Sequence, residues 1–396
     1  MNKTTLKRKA DAISSADDVN DAAVIPAGQI DVDYLTKLAG RASREIDFDD
    51  GRGDVKLIVK NSNGQHESFA VSSAAMARAC KPWDRMLNGS FGEARTDHPK
   101  IFDFTEDGAT ALTIIMSIIH FQFSNVPQSV ELPTLADLAR LTDKYMLTTL
   151  VAPWLKAWID RLRPTVEQPE NGPSWLWIAW EYGLADVFNK VSHNICQATE
   201  LWCVHPAESA SSSGTQGTKD ACYSAFVNGV PLPTTLPLGA REAILAKRRT
   251  IISAFLRRVF RYLENLRNES HCPVTESLCQ HKKRECLLVQ IGSLYCALLP
   301  HGLLAEMKPS DVYCTPSLLE DLLSAIEIPS CQNFCTTGLA SRKSSRAHKA
   351  SLQKDCGWLN FIQNQMKRTT SEPIKLTDAQ TRHIEGRKEM LKYLAL

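Results

Sequence analysis

From Val55 to Val59 apolar residues fall at every second position, Val55, Leu57 and Val59, with Lys56 and Lys60 opposite them; Ile58 alone breaks the alternation. A period of two predicts a strand. Asn61-Ser62-Asn63-Gly64 supplies residues that tolerate positive φ, and His66 to Val71 returns as a second strand, so the stretch reads as a β-hairpin. Ser72 and Ser73 are N-cap residues for an Ala-rich helix, Ala74 to Cys80, and Pro82 either ends that helix or opens the next. Ile101, Phe102 and Phe104 predict a third short strand closed by Asp107-Gly108. Ala109 to Phe121 is apolar on nearly every side, the pattern of a helix buried in a core. Leu135, Leu138, Ala139, Thr142, Tyr145 and Met146 then recur at helical spacing, as do Leu150, Trp154, Leu155 and Trp158. Upstream, Asp31 or Asp33 caps a short helix through Leu35, Leu38 and Ala39. The order is strands first, helices after.

Further along, Pro164 to Pro173 reads as a linker. Trp175-Leu176-Trp177-Ile178-Ala179-Trp180 leaves a helix little polar face, which predicts a buried helix rather than an aromatic peptide groove. His205 to Lys219 is Ser/Gly-rich and reads as a flexible loop, and Asn228 to Gly239, with three prolines, as a second irregular stretch. Glu242 to Asn268 is the strongest long helix: Ile244, Leu245, Ile251, Ile252, Phe255, Leu256, Val259, Phe260, Leu263 and Leu266 make a continuous apolar stripe. Shorter helices are predicted at Leu287 to Leu299, Thr315 to Ile326 and Trp358 to Met366.

Charge adds an asymmetry to this layout. Residues 1 to 240 carry 22 Lys+Arg against 29 Asp+Glu, and residues 241 to 396 carry 24 against 15, so an acidic half precedes a basic one. The long helix concentrates the excess at Lys247, Arg248, Arg249, Arg257, Arg258 and Arg261. Such a face either binds nucleic-acid phosphates or an acidic membrane surface, or is a solvated face that meets acidic residues of the N-terminal half, the favoured expectation. No apolar run reaches the roughly 18 residues of a membrane span, and the N-terminus lacks the apolar core of a secretory signal. The expectation is a protein of the nucleus or cytoplasm, with Lys7-Arg8-Lys9 as a short import signal or a plain basic tail.

Of the 12 cysteines, all but Cys80 lie between Cys196 and Cys356. In this context reduced thiols or metal ligands are expected before disulfides. Cys279 and Cys286, seven apart, share a helical face; with His348 and Cys356 they form a candidate structural zinc set, and buried free cysteines are the competing expectation. Phosphate-binding loops, G-x-S-x-G and H-E-x-x-H are all missing from the sequence, so no enzyme chemistry is expected.

Taken together, Asp54-Val55-Lys56-Leu57-Ile58-Val59, Phe69-Ala70-Val71-Ser72, Met86-Leu87-Asn88-Gly89-Ser90-Phe91-Gly92-Glu93-Ala94 and Leu138-Ala139-Arg140-Leu141-Thr142-Asp143-Lys144-Tyr145-Met146 resemble successive signatures of the BTB/POZ domain. The chain as a whole resembles divergent fungal members with one such domain and a helical C-terminal region. Ser72 stands where many animal members have His, so their charged dimer pocket is not carried over. The resemblance implies an α+β chain: a mobile tail over 1–28, a BTB domain over 29–162, a Trp-rich helical segment packed on it over 174–204, a flexible linker over 205–239 and a basic, Cys-rich helical domain over 240–396. It also implies an adaptor that binds proteins by surface complementarity, with a second copy of itself and a cullin ubiquitin-ligase scaffold as partners. Phe91 and Glu93 match the hydrophobic-x-Glu motif of cullin-binding members, and the competing expectation is that Phe91 packs on its own domain.

Overall fold

The computed structural model describes residues 32–89, 100–203, 223–268, 283–303, 307–327 and 372–394. The chain divides into two compact units at the last turn of a helix, between Asp160 and Arg161, and is an α+β protein.

The first unit is built on a four-stranded sheet: β1 (Glu45–Asp47), β2 (Val55–Lys60), β3 (His66–Val71) and β4 (Lys100–Gly108), in the order β1-β3-β2-β4. The expected hairpin is β2–β3, antiparallel; β1 and β4 add on either side, each parallel to its neighbour. Helix α1 (Val32–Gly40) resolves the odd position in the alternation. Leu35 and Leu38 bury Ile58, with Ala39 and Ile101 beside them, so both faces of β2 are dry and only its two lysines remain exposed. On the other face Leu57, Val59 and Phe69 pack into a core with Met76, Trp83, Leu112, Ile115, Leu135 and Leu138.

Helix α2 (Ser73–Ala79) starts as its serines predict: the Ser72 hydroxyl accepts from the Ala75 amide, and Asp54 accepts from both the amide (2.7 Å) and the hydroxyl (2.6 Å) of Ser73. Burial alone would raise the Asp54 pKa, but these hydrogen bonds hold its carboxyl below the usual value. Pro82 opens α3 (Lys81–Asn88) rather than ending α2. The helices α4 (Ala109–Ile119), α5 (Leu132–Tyr145) and α6 (Ala152–Leu162) follow β4. His120 ties α4 back to α2: its Nδ1–H donates to the Met116 carbonyl and its Nε2 accepts the Ser72 amide, both at 2.9 Å.

In the second unit, α7 (Gly172–Glu181) is the Trp-rich helix, and it lies within that unit against α8 (Ala185–Ala198) and α12 (Asp378–Met390). Trp175 is fully buried with its indole N–H on the Thr165 hydroxyl, and the Trp177 N–H reaches the Thr235 carbonyl. The two indoles are spent on internal hydrogen bonds, as a packed helix requires. Glu181 is wholly buried and pairs with Arg387 of α12 at 3.0 Å, while Trp180 stacks on His383. Gly183, at φ +71°, passes so close to α12 that a Cβ would sit 2.4 Å from the Lys388 amide nitrogen.

A small sheet corrects the expected linker. β5 (Thr199–Cys203), β6 (Tyr223–Val227) and β7 (Val230–Pro231) form an antiparallel sheet, so the flexible stretch does not extend through residues 223 to 231. Asn228 (φ 52°) and Gly229 (φ 76°) make the tight turn between β6 and β7. Asn-Gly is a strong hairpin signal, and the neighbouring prolines masked it. The long helix α9 spans Ala240–Arg267; α10 (Lys283–Leu298) and α11 (Pro316–Ser324) match the shorter helices predicted after it. The helix expected at Trp358 to Met366 lies outside the described residues.

Candidate interaction surface

Phe91 and Glu93 lie outside the described residues, between α3 and β4. The elements on either side are firmly held: Trp83 and Leu87 of α3 are buried, and Phe102 and Phe104 of β4 are within the core.

The first unit shows another candidate surface, which motif reading missed. Helix α4 ends in His120, and Phe121 follows in the left-handed region, φ 61°, with 75% of its surface exposed. Phe123 is 53% exposed and meets Phe121 edge-on, ring centroids 6.0 Å apart. Trp154, half-buried on α6, continues the row 6.1 Å from Phe123, and Trp158 closes it inside the core with its N–H on the Pro127 carbonyl. The only signal in the sequence was Phe121-x-Phe123 at the predicted end of that helix, which the structure closes two residues earlier, at Ile119. At the far end of α5, Met146 is also left-handed (φ 59°) and 58% exposed.

At the opposite end of α4 a buried polar cluster fixes α5 to β4. Asp107, nearly buried at the end of β4, accepts from the Tyr145 hydroxyl at 2.6 Å and pairs with Lys144 at 2.8 Å. Burial, and then the Asp107 carboxylate, push the Tyr145 pKa far above the ordinary phenol value, so the hydroxyl is a permanent donor.

In the second unit the predicted basic face divides. Arg248 does not belong to it: it is 2% exposed, and its guanidinium donates to the carbonyls of Thr199 (2.9 Å), Val312 (2.8 Å) and Cys314 (2.8 Å). Its position four residues after Ile244 and four before Ile252 puts it in the middle of the buried stripe. Thr199 caps the C-terminus of α8, so the cation meets the negative end of a helix dipole as well. Burial pushes its guanidinium down to about 10, which leaves it charged at neutral pH. Arg249, Arg257 and Arg261 are exposed and Arg258 is half-buried. Burial and then the neighbouring Arg257 lower the Arg258 pKa. Lys247 is turned inward to Glu372, 3.5 Å away, within the same unit.

Of the candidate zinc ligands, Cys279, His348 and Cys356 lie outside the described residues, and Cys286 is described only as backbone of α10. Among the described cysteines, Cys80 and Cys196 are buried free thiols; burial pushes them up to about 11 and about 12 respectively. No described helix is long and apolar enough to cross a membrane. No family model, curated protein or solved structure matches this chain.

Proposed function

We propose that this chain is a protein–protein interaction adaptor whose first unit is a BTB/POZ domain, acting without bond making, with a second copy of itself and a cullin ubiquitin-ligase scaffold as its partners. The observation that carries this reading is the succession of elements in the first unit: the hairpin β2–β3, the helical pair α2–α3, β4 returning parallel beside β2, and then α4 to α6. That is the order the family resemblance implies. Exposed large apolar side chains on a rigid, buried framework supply the anchors such a module needs. The test is co-purification of the full chain with the N-terminal region of a cullin, beside Phe91→Ala/Glu93→Ala. Loss of the complex in a folded variant supports the cullin output, and an unchanged complex rejects it.

A second reading, a nuclear factor that binds nucleic acid through α9, is favoured by Arg249, Arg257 and Arg261, which are exposed with no ion pair to any described residue. Three phosphate contacts give an affinity falling with salt at a log–log slope of about −2.7 for duplex DNA. No measurable binding at ~50 mM salt removes this reading.

A further inference from the structure

The small sheet of the second unit has one dry face and one wet face. Register settles which residues share each. Thr199 pairs with Val227 and Leu201 with Ala225 on one side; Glu200 pairs with Phe226, Phe226 with Pro231, and Trp202 with Ser224 on the other. Thr199, Ala225 and Val227 are buried, so the second set faces outward. An antiparallel sheet with one solvated face places polar residues there as a rule. Here the outward positions hold Trp202, 56% exposed, half-buried Phe226 and exposed Pro231. Trp202 and Phe226 touch across a diagonal, ring centroids 5.5 Å apart and planes at 45°, a contact that still leaves much of the indole in water.

Of these five outward residues one is charged: Glu200, directly opposite Phe226. Its half-buried carboxylate has no ion pair or hydrogen bond to any described residue, and neither has the Trp202 indole N–H. These facts select the ligand. A partner that covers Phe226 also dehydrates the neighbouring carboxylate, and a neutral partner leaves that charge uncompensated. A phosphate-bearing ligand adds repulsion. A guanidinium meets both requirements, because its flat face lies on an aromatic ring while its N–H fork reaches a carboxylate. An ammonium is a strongly hydrated point charge and meets them less well. The face is open and crosses three strands, about 10 Å at roughly 4.8 Å per strand. It therefore suits a stretch of polypeptide rather than a small molecule, which needs a concave site.

We propose that the Glu200–Trp202–Phe226 face binds an arginine-bearing segment of a partner protein, with the guanidinium stacked on the rings and paired to Glu200. The site lies in the second unit and stands whether or not the first unit is a BTB domain.

The experiment follows the indole N–H resonance of Trp202 in the full chain, assigned by its disappearance in Trp202→Phe, during titration with blocked Gly/Ser peptides. One peptide carries two arginines; its counterparts carry citrulline, the neutral isostere, or lysine at the same places. Saturable movement is expected with the arginine peptide, with citrulline at least about fivefold weaker and lysine between the two. Glu200→Gln is expected to weaken the arginine peptide about fivefold and to erase its advantage over citrulline. On the wet face this substitution should move the thermal midpoint by under about 2 °C, so its effect reads binding and not folding. Trp202→Leu, followed by isothermal titration, should lose a similar factor, whereas an indole that only braces the hairpin would lower the midpoint and leave binding intact. Absence of saturable movement with the arginine peptide, equal binding of the citrulline or lysine peptide, equal or tighter binding of octathymidylate, or indifference to Glu200→Gln overturns the proposal. Cullin co-purification and arginine-peptide binding are read on different units, so either fails without the other.

Discussion

Replacing Arg248 by methionine keeps much of the side-chain length and removes the guanidinium, and the result depends on what that cation does inside the second unit. The buried carbonyls of Thr199 and Val312 and the half-buried carbonyl of Cys314 accept from it. Hydrogen bonds to a charged group contribute roughly 1.5–3 kcal/mol each. Against their loss stands the relief of no longer keeping a cation out of water, which returns several kcal/mol. The balance left by three unpaired carbonyls at the junction of α8, α9 and the 312–314 segment is a loss of about 3–5 kcal/mol. For a unit of this size each kcal/mol lowers the midpoint by about 2–4 °C, so Arg248→Met is expected to melt the second unit roughly 6–20 °C earlier. Calorimetry measures the shift, and amide hydrogen exchange assigns it to the end of α8 and to residues 312–314. Arg248→Lys keeps the charge but presents its donors from a single point, and should fall between the two. An Arg248→Met protein melting within about 1 °C of the wild type, or losing protection first in α2 to α5, would refute the argument. Arg257→Ala, on the exposed face of the same helix, is the control and should shift stability by under about 0.5 kcal/mol.

Other outcomes follow from the same kind of accounting. Tyr145→Phe leaves the nearly buried Asp107 with one partner fewer and is expected to destabilise the first unit by about 1–3 kcal/mol, read as an earlier denaturant midpoint. Gly183→Ala must open the contact with Lys388, so exchange in α12 should accelerate well before any global unfolding; unaltered exchange there would show that the close approach is not needed. Cys196 should resist alkylation at pH 8 while exposed Cys296 labels readily, as read by peptide mass spectrometry. Because the folded Cys196 keeps its proton to about 12 and the unfolded thiol loses it near its ordinary value of 9.0, its contribution to stability is complete below 9.0 and is lost as pH rises from there toward about 12.

How much of this was legible in the sequence depended on how strongly each segment announces its period. The β2–β3 hairpin was readable from the exposed Lys56 and Lys60 and the Asn-Gly turn between its strands, the start of α2 from its capping serine, and α5 and α9 from stripes that burial of one helix face imposes. Strand β1 was not: three residues carry no period, and its pairing with β3 is set by tertiary packing. Helix α12 escaped for a different reason. Only Gln380 and Ile384 are buried on it, and it is held by Glu181, Trp180 and the Leu238 carbonyl, partners far away in sequence. Arg248 shows the reverse error, in which residue type overrode position: counted by charge it joined a basic face, but counted by helical phase it lay among isoleucines. At the candidate surface, Phe121 and Phe123 gave no motif because what distinguishes them is a backbone angle and exposure to water.

The imidazole of His120 has a consequence for chemistry elsewhere on the chain. Nδ1 lies on the Met116 carbonyl and Nε2 on the Ser72 amide, so both ring nitrogens are engaged by backbone groups. An electrophile or a transition-metal ion arriving there finds no electron pair to take unless it first frees the start of a neighbouring helix. Histidine chemistry in this protein must therefore be sought at its other imidazoles.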